Sequence, residues 1–291
     1  MMTSNGKEYS RVYGLEDPSR YSKETDRKTR KLVALHLIGT ENNTLLEDND
    51  IVVFLDGRDA FYMRETSGLR KDFANTDKDL FLGAEKNCWP FSYNPFSNIS
   101  LNLYDPKTQE RPWVWSFKAE KLCDTLKLES FKRSGEGPYA FPNGGGFIGR
   151  WKKVKEFVDL NWEVFYKVLK PEQRDDQAST SIAFLLSIDK SIVLDNKAHF
   201  IQCTDRLEGV FDNYCLSNST YINRDTKTFP YFHHHNGGGK VYLETCMQFI
   251  ENLGRRSASD CFWISGDTGK KIFLKDVCRE QRKCCRFLDS N

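Results

Sequence analysis

The sequence has no apolar run approaching the roughly 18–20 residues of a membrane-spanning helix. Its opening stretch, MMTSNGKEYSRVYG, has no apolar core of the kind a secretory signal carries. Charge of one sign is barely in excess: 43 Lys and Arg stand against 41 Asp and Glu, a formal net charge of +2. A dedicated nucleic-acid binder carries a larger basic surplus, so no nucleic-acid partner is expected. No Cys-x-x-Cys pair with zinc spacing occurs, nor Gly-x-Ser-x-Gly, a Walker A lysine or His-Glu-x-x-His, which argues against the chemistries those motifs carry. Neither His36 nor His199 begins the His-x-Asp/Glu pair of a non-haem iron oxygenase. What is present is 39% hydrophobic and 13% aromatic residue content over 291 residues. That suits a soluble globular chain able to bury a sizeable core, and it excludes disorder, collagen-like repeats and coiled coil.

Nine cysteines are scattered along the chain. An odd number cannot pair completely within one chain, and ordinary buried thiols in a reducing, cytoplasmic setting are the plain expectation. The cluster Cys278, Cys284 and Cys285 is the alternative, as a partial disulfide group in a secretory lumen. Sequons at Asn42, Asn98 and Asn218 carry no weight without a signal sequence.

Periodicity places the elements. A short β-like stretch falls at Tyr9–Leu15, and a helix at Arg30–Ile38 closed by Gly39. Ile51–Leu55, a continuous β-branched and aromatic run, reads as a strand buried on both faces, and Leu80–Ala84 resembles it. Residues 91–137, rich in Asn, Pro, Ser and Lys, read as an insertion or lid. A Gly-rich turn at Asn143–Gly149 follows, then helices at Trp151–Lys170 and Asp176–Leu186. Strands at Ile192–Leu194 and His199–Gln202 precede a helix at Val241–Leu253. Alternating strands and helices predict α/β architecture with a mainly parallel sheet in one domain, 1–254. A tail, 255–291, carries nine basic residues against five acidic ones, a solvated face or a contact for an acidic partner.

Five local patterns could carry chemistry. Asp56 and Asp59 lie three residues apart just past a strand, at the end of the sheet where α/β ligand sites form. Paired carboxylates repel unless a cation lies between them, and oxygen ligands suit Mg²⁺ or Mn²⁺; turn residues are the plain alternative. Phe232-His-His-His-Asn-Gly-Gly-Gly-Lys240 holds three of the five histidines, of which at most one or two could face one ion. Its glycines Gly237 and Gly238 let backbone N–H groups approach a phosphate, and Lys240 adds a point charge. Asp175-Asp176-Gln177 precedes a helix, where capping is the simplest role. Asn143 heads a run of glycines, and Glu85 and Trp89 lie just past the second strand.

Taken in order, these patterns resemble the glycosyltransferase domain of the lysyl hydroxylases, the procollagen-lysine dioxygenases. The matching segments are Asp56…Asp59, Ala84-Glu85…Cys88-Trp89-Pro90, Asn143–Gly149, Asp175-Asp176-Gln177, Leu194-Asp195 and His234-His235-Asn236-Gly237…Lys240, within residues 9–253. The resemblance implies a GT-A-like, Rossmann-like mixed sheet flanked by helices, with Mn²⁺ and a UDP-sugar donor. It implies Asp56, Asp59 and His234 as metal ligands, His234 because it stands two before Asn236. Lys240 and the adjacent glycines would receive the diphosphate. Glu85, Trp89, Asn143, Asp175, Asp176 and Gln177 would line the donor-sugar and acceptor side.

Three departures qualify it. The family's domain opens with a strand ahead of the segment matching Tyr9–Leu15, and here only Met1–Glu8 precede that segment. Either the nucleoside pocket is built differently or the chain is truncated or inactive. Arg58 stands where the family has an aromatic, although a guanidinium can also stack on a base. Residues 91–137 are longer than the family's insertion, and the oxygenase half is absent. The leading expectation is transfer of glucose or galactose from a UDP-sugar to a hydroxyl, hydroxylysine-linked glycan of collagen-like protein included. A silent UDP- and metal-binding module and a metal-dependent phosphoester hydrolase are the alternatives.

Overall fold

In a computed structural model of the protein, residues 11–12, 27–40, 46–56, 59–64, 66–94, 97–103, 113–205, 214–217, 220–223, 225–242, 262–265 and 271–273 are described. In chain order they form β1 (Arg11–Val12), α1 (Arg27–Thr40), β2 (Ile51–Leu55), β3 (Ala60–Tyr62), α2 (Leu69–Ala74), β4 (Leu80–Glu85), β5 (Asn98–Leu103) and β6 (Trp113–Lys118). Then follow α3 (Ala119–Ser134), β7 (Phe141–Arg150), α4 (Trp151–Glu163), α5 (Asp176–Leu186), β8 (Ile192–Leu194), β9 (Ile201–Cys203), β10 (Tyr214–Ser217) and β11 (Thr220–Asn223). β12 (Phe232–His234), β13 (Phe262–Ser265) and β14 (Lys271–Phe273) complete the series.

A 7-stranded sheet in the order β2-β7-β4-β9-β12-β3, with β8 beside β4, forms the centre. β7 runs against both β2 and β4, and β3 runs against β12, while β4, β8, β9 and β12 pair in parallel. β2, β4, β8, β9 and β12 therefore share one direction, a mainly parallel α/β sheet as the sequence predicts. The carboxyl ends of β2, β4, β9 and β12 gather along one edge. Because β7 is antiparallel, its amino end, Phe141–Gly145, joins them there.

The sheet is packed on both faces. Alternate residues of β4 face opposite ways: Leu80, Leu82 and Ala84 meet Leu122 and Leu126 of α3, Val154 and Phe157 of α4, and Ile182 of α5. Phe81 turns instead to Phe73 of α2, Phe200 and Tyr231. In α4 the buried residues Trp151, Val154, Phe157, Val158 and Asn161 recur at helical spacing.

The structure departs from the sequence reading in several places. The Asn143–Gly149 segment is not a turn but the middle of β7, and its glycines let neighbouring elements lie against the strand. α1 runs through Gly39 instead of ending there. The expected helix to Lys170 stops at Glu163 and continues as a π-helical turn, Val164–Val168. Residues 91–137 contain the β5–β6 hairpin and α3, whose Leu122 and Leu126 are core residues. Cys88 and Cys123 are joined by a disulfide, so the expectation of free thiols is corrected at those two positions. β13 and β14, in the basic tail, form a separate sheet with β1. The remainder of Tyr9–Leu15 and of the tail, and all but Val241 and Tyr242 of the Val241–Leu253 helix, lie outside the described residues. Val241 and Tyr242 belong to a 3₁₀ turn, Gly237–Tyr242. Among the described residues, no helix is long and apolar enough to cross a membrane.

Candidate metal centre

β2 ends at Leu55, and the next residue, Asp56, is held against β7 by its N–H donating to the Gly145 carbonyl at 2.8 Å. Asp59 precedes β3, whose pairing with β12 sets His234 opposite Ala60. The Asp59 carbonyl also accepts the His235 N–H at 2.6 Å. These backbone ties bring one ligand atom from each of Asp56, Asp59 and His234 to within 4.8 Å of one another. His234 Nε2 lies 3.5 Å from Asp56 Oδ2 and 3.5 Å from Asp59 Oδ1. A Cβ at Gly145 would overlap the His234 imidazole and lie 2.8 Å from Asp56 Oδ2, so only glycine fits behind the cluster. His233 and His235 point the other way, their rings 5.7 Å apart, as alternation along a strand requires.

Positive charge already faces these carboxylates. From α1, Lys31 Nζ stands 3.2 Å from Asp56 Oδ2 and also pairs with Asp176. Burial opposes charging Lys31, but Asp56 and Asp176 outweigh it and hold the ammonium above the ordinary lysine range. Burial likewise opposes charging His234, yet its hydrogen bonds to Asp56 and Asp59 raise it well above the usual value. Burial would also raise Asp56, and the Lys31 charge reverses that and keeps its carboxyl low. Two carboxylates and an imidazole, arranged so that cations are favoured, fit a hard divalent ion such as Mn²⁺ or Mg²⁺.

Beside this cluster, three amide side chains converge on Glu85. Glu85, 1% exposed at the end of β4, accepts from Asn143 Nδ2 at 3.0 Å, from Gln177 Nε2 at 2.5 Å and from Asn236 Nδ2. Burial raises its carboxyl to about 7 against the pull of the Gln177 and Asn143 bonds. Asn143 Oδ1 in turn accepts from Gly145 N at 2.8 Å and lies 2.9 Å from His234 Nδ1. Asn236 Oδ1 takes the N–H groups of Thr204 and Asp205, both at 3.0 Å, binding the end of β9 to the loop after β12.

Of the residues singled out from sequence, Asp56, Asp59, His234, Glu85, Asn143, Gln177 and Asp176 come together. Asp175 caps α5, accepting from Gln177 N and Ala178 N at 3.0 and 3.3 Å. Trp89 packs edge-on against Tyr93 with ring centres 5.9 Å apart. Gly237, at φ +50°, and Gly238 lie in the 3₁₀ turn, where the Gly238 N–H donates to Asp205 Oδ1 at 2.7 Å. Arg58 and the Lys240 side chain lie outside what is described. Sequence reasoning missed Lys31, because nothing local separates it from Lys28 and Arg30 in the same helix. It also missed Asp205 and gave Asn236 no role beyond marking register.

No family model and no curated protein matches this sequence. Among solved structures the chain is similar to that of the galactosyltransferase LgtC in complex with donor and acceptor sugar analogues. The identity is 14% and the TM-score 0.34, covering 76% of this chain. The chain spans 65% of the length of that protein. A likeness at this level says nothing of what the present chain binds.

Proposed function

We propose that the protein is a metal-dependent glycosyltransferase that moves glucose or galactose from a UDP-sugar to a hydroxyl acceptor. One observation carries the reading: Asp56, Asp59 and His234, far apart in sequence, converge at the sheet edge where α/β proteins bind ligands. Mn²⁺, or Mg²⁺, held by these three residues would supply positive charge to the departing diphosphate. Asp176 and Gln177, at the start of α5, are assigned to the donor sugar, and Asn143 to the wall between sugar and metal. Lys240, Gly237, Gly238 and Arg58 are assigned to UDP, Trp89 and Asp175 to the acceptor side, and Glu85 to the buried support of the site. Residues 1–254 are read as the catalytic unit, with 91–137 bordering the acceptor and 255–291 as a basic extension. Hydroxylysine-linked glycan of collagen-like chains is the acceptor that the family resemblance suggests. The Cys88–Cys123 disulfide favours an oxidising compartment over the cytoplasm for the working protein.

Purified protein with Mn²⁺ is expected to release UDP from UDP-glucose or UDP-galactose, at least by slow hydrolysis, and EDTA is expected to stop it. Lys240→Ala should lower kcat by something on the order of 10²-fold if it steadies the leaving group. Tight Mn²⁺-dependent UDP binding without turnover of any UDP-sugar would establish a silent binding module instead. One contact favours that second reading: Asp205 already takes the Gly238 N–H that a phosphate would use. Neither binding nor turnover would end both.

A further inference from the structure

We infer that Glu85 and Asn143 form a relay that fixes the orientation and tautomer of His234, so that both act on the metal without touching it. The inference rests on the metal-dependent reading above. An amide side chain has a donor end and an acceptor end, and which end faces His234 decides which ring nitrogen can be a ligand. Glu85 faces Asn143 with carboxylate oxygen, at 3.0 Å from Nδ2. That contact commits Nδ2 to Glu85 and turns Oδ1 to the other side. The Gly145 N–H, a backbone donor that cannot reverse, lies 2.8 Å from the same Oδ1 and requires the same orientation independently.

With Oδ1 only 2.9 Å from His234 Nδ1, the ring must carry its proton on Nδ1 when Nε2 is the ligand. Nε2 is the nitrogen that faces Asp56 and Asp59, at 3.5 Å from each. Metal-bound imidazoles are commonly oriented this way by an acceptor at the other nitrogen, and loss of that acceptor costs roughly 10- to 100-fold in metal affinity. Here the acceptor is an amide, and Glu85 and the Gly145 N–H together keep it from turning over. Glu85 is 1% exposed with both oxygens hydrogen-bonded, by Asn143 and Asn236 on one and Gln177 on the other, which suits a positioning residue.

The test is Mn²⁺ binding to the full chain, followed by electron paramagnetic resonance without nucleotide, with thermal melting to confirm folding. Asp59→Ala sets the level for loss of a direct ligand. Glu85→Gln introduces an N–H among three amide donors and weakens one of the two contacts that hold Asn143 Oδ1 toward the ring. It is expected to weaken Mn²⁺ binding by about 10- to 100-fold, as is Asn143→Ala. The double variant Glu85→Gln/Asn143→Asp exchanges donor and acceptor and restores an acceptor at Nδ1. It is expected to bind several-fold more tightly than Glu85→Gln alone. If Asn143→Ala does not fold, the other two variants decide. Wild-type Mn²⁺ affinity in Glu85→Gln, or no recovery in the double variant, overturns the relay while leaving the metal site standing. Failure of the wild-type chain to bind Mn²⁺ at all overturns the site, and the relay with it.

Discussion

At the residue scale, Gly145 is set by space. Its missing Cβ is what leaves room for the His234 ring and the Asp56 carboxylate beside β7. Gly145→Ala is expected to lose Mn²⁺ binding and, by overpacking, about 1–3 kcal/mol of stability. Calorimetry with and without the ion checks both, and undiminished binding would mean that the ring lies elsewhere in solution. Glu85 gives a pH signature. Its ordinary carboxyl value is 4.5, and burial lifts it to about 7 in the fold. The folded state therefore binds the proton more tightly than the unfolded chain, and the stability this confers is complete below pH 4.5. It fades as pH rises to 7, by up to about 3 kcal/mol. Denaturant titrations across that window should show the decline, and Glu85→Gln should flatten it. Equal slopes in the two proteins would contradict the placement of Glu85.

At the scale of elements, α5 depends on Asp175. Asp175→Ala removes the acceptor for two N–H groups in its first turn and is expected to cost about 1 kcal/mol. Gln177 sits in that turn, so the variant should loosen its bond to Glu85 as well, read as faster amide exchange at 177–178. Unchanged exchange there would remove the cap from the argument. The boundaries of α5, β2 and β8 are the ones the sequence predicts, because apolar spacing and the Asp175 cap agree at the helix and a continuous apolar run marks each strand. β7 was illegible for a physical reason. Glycine marks turns when the backbone needs freedom, but at Gly145 it marks a crowded strand, and sequence does not distinguish the two uses. α3 was hidden by its setting: a helix with many lysines and glutamates between polar segments shows little beyond Leu122 and Leu126 to betray a buried face. In the site, residues adjacent in sequence were legible as motifs. Lys31 was not, since its partners Asp56 and Asp176 meet it only after folding.

At the scale of the whole molecule, Asp56, Asp59 and His234 share a site only in the native chain. An ion that binds there and not to the unfolded chain stabilises by about 2.7 kcal/mol at a hundred times its Kd. Mn²⁺ is accordingly expected to raise Tm by several degrees in the wild type and not in Asp59→Ala. An identical Tm with and without Mn²⁺ would remove the ion from the account. The Cys88–Cys123 disulfide acts on the same scale. It spans 35 residues, ties α3 to the loop carrying Trp89, and is expected to contribute about 3–4 kcal/mol by restricting the unfolded chain. Reduction, or Cys123→Ser, should lower Tm correspondingly; a Tm indifferent to reductant would show that the bond is not formed.

An ion bound at this site would share Asp56 with a resident cation. The Lys31 ammonium stands 3.2 Å from Asp56 Oδ2 and is tethered to α1, so it would stay nearby if an ion took its place. It remains a tethered competitor, present at the effective concentration that a short leash imposes, commonly millimolar or more. On the metal-dependent reading, a lysine so tethered would favour exchange of the ion over its retention.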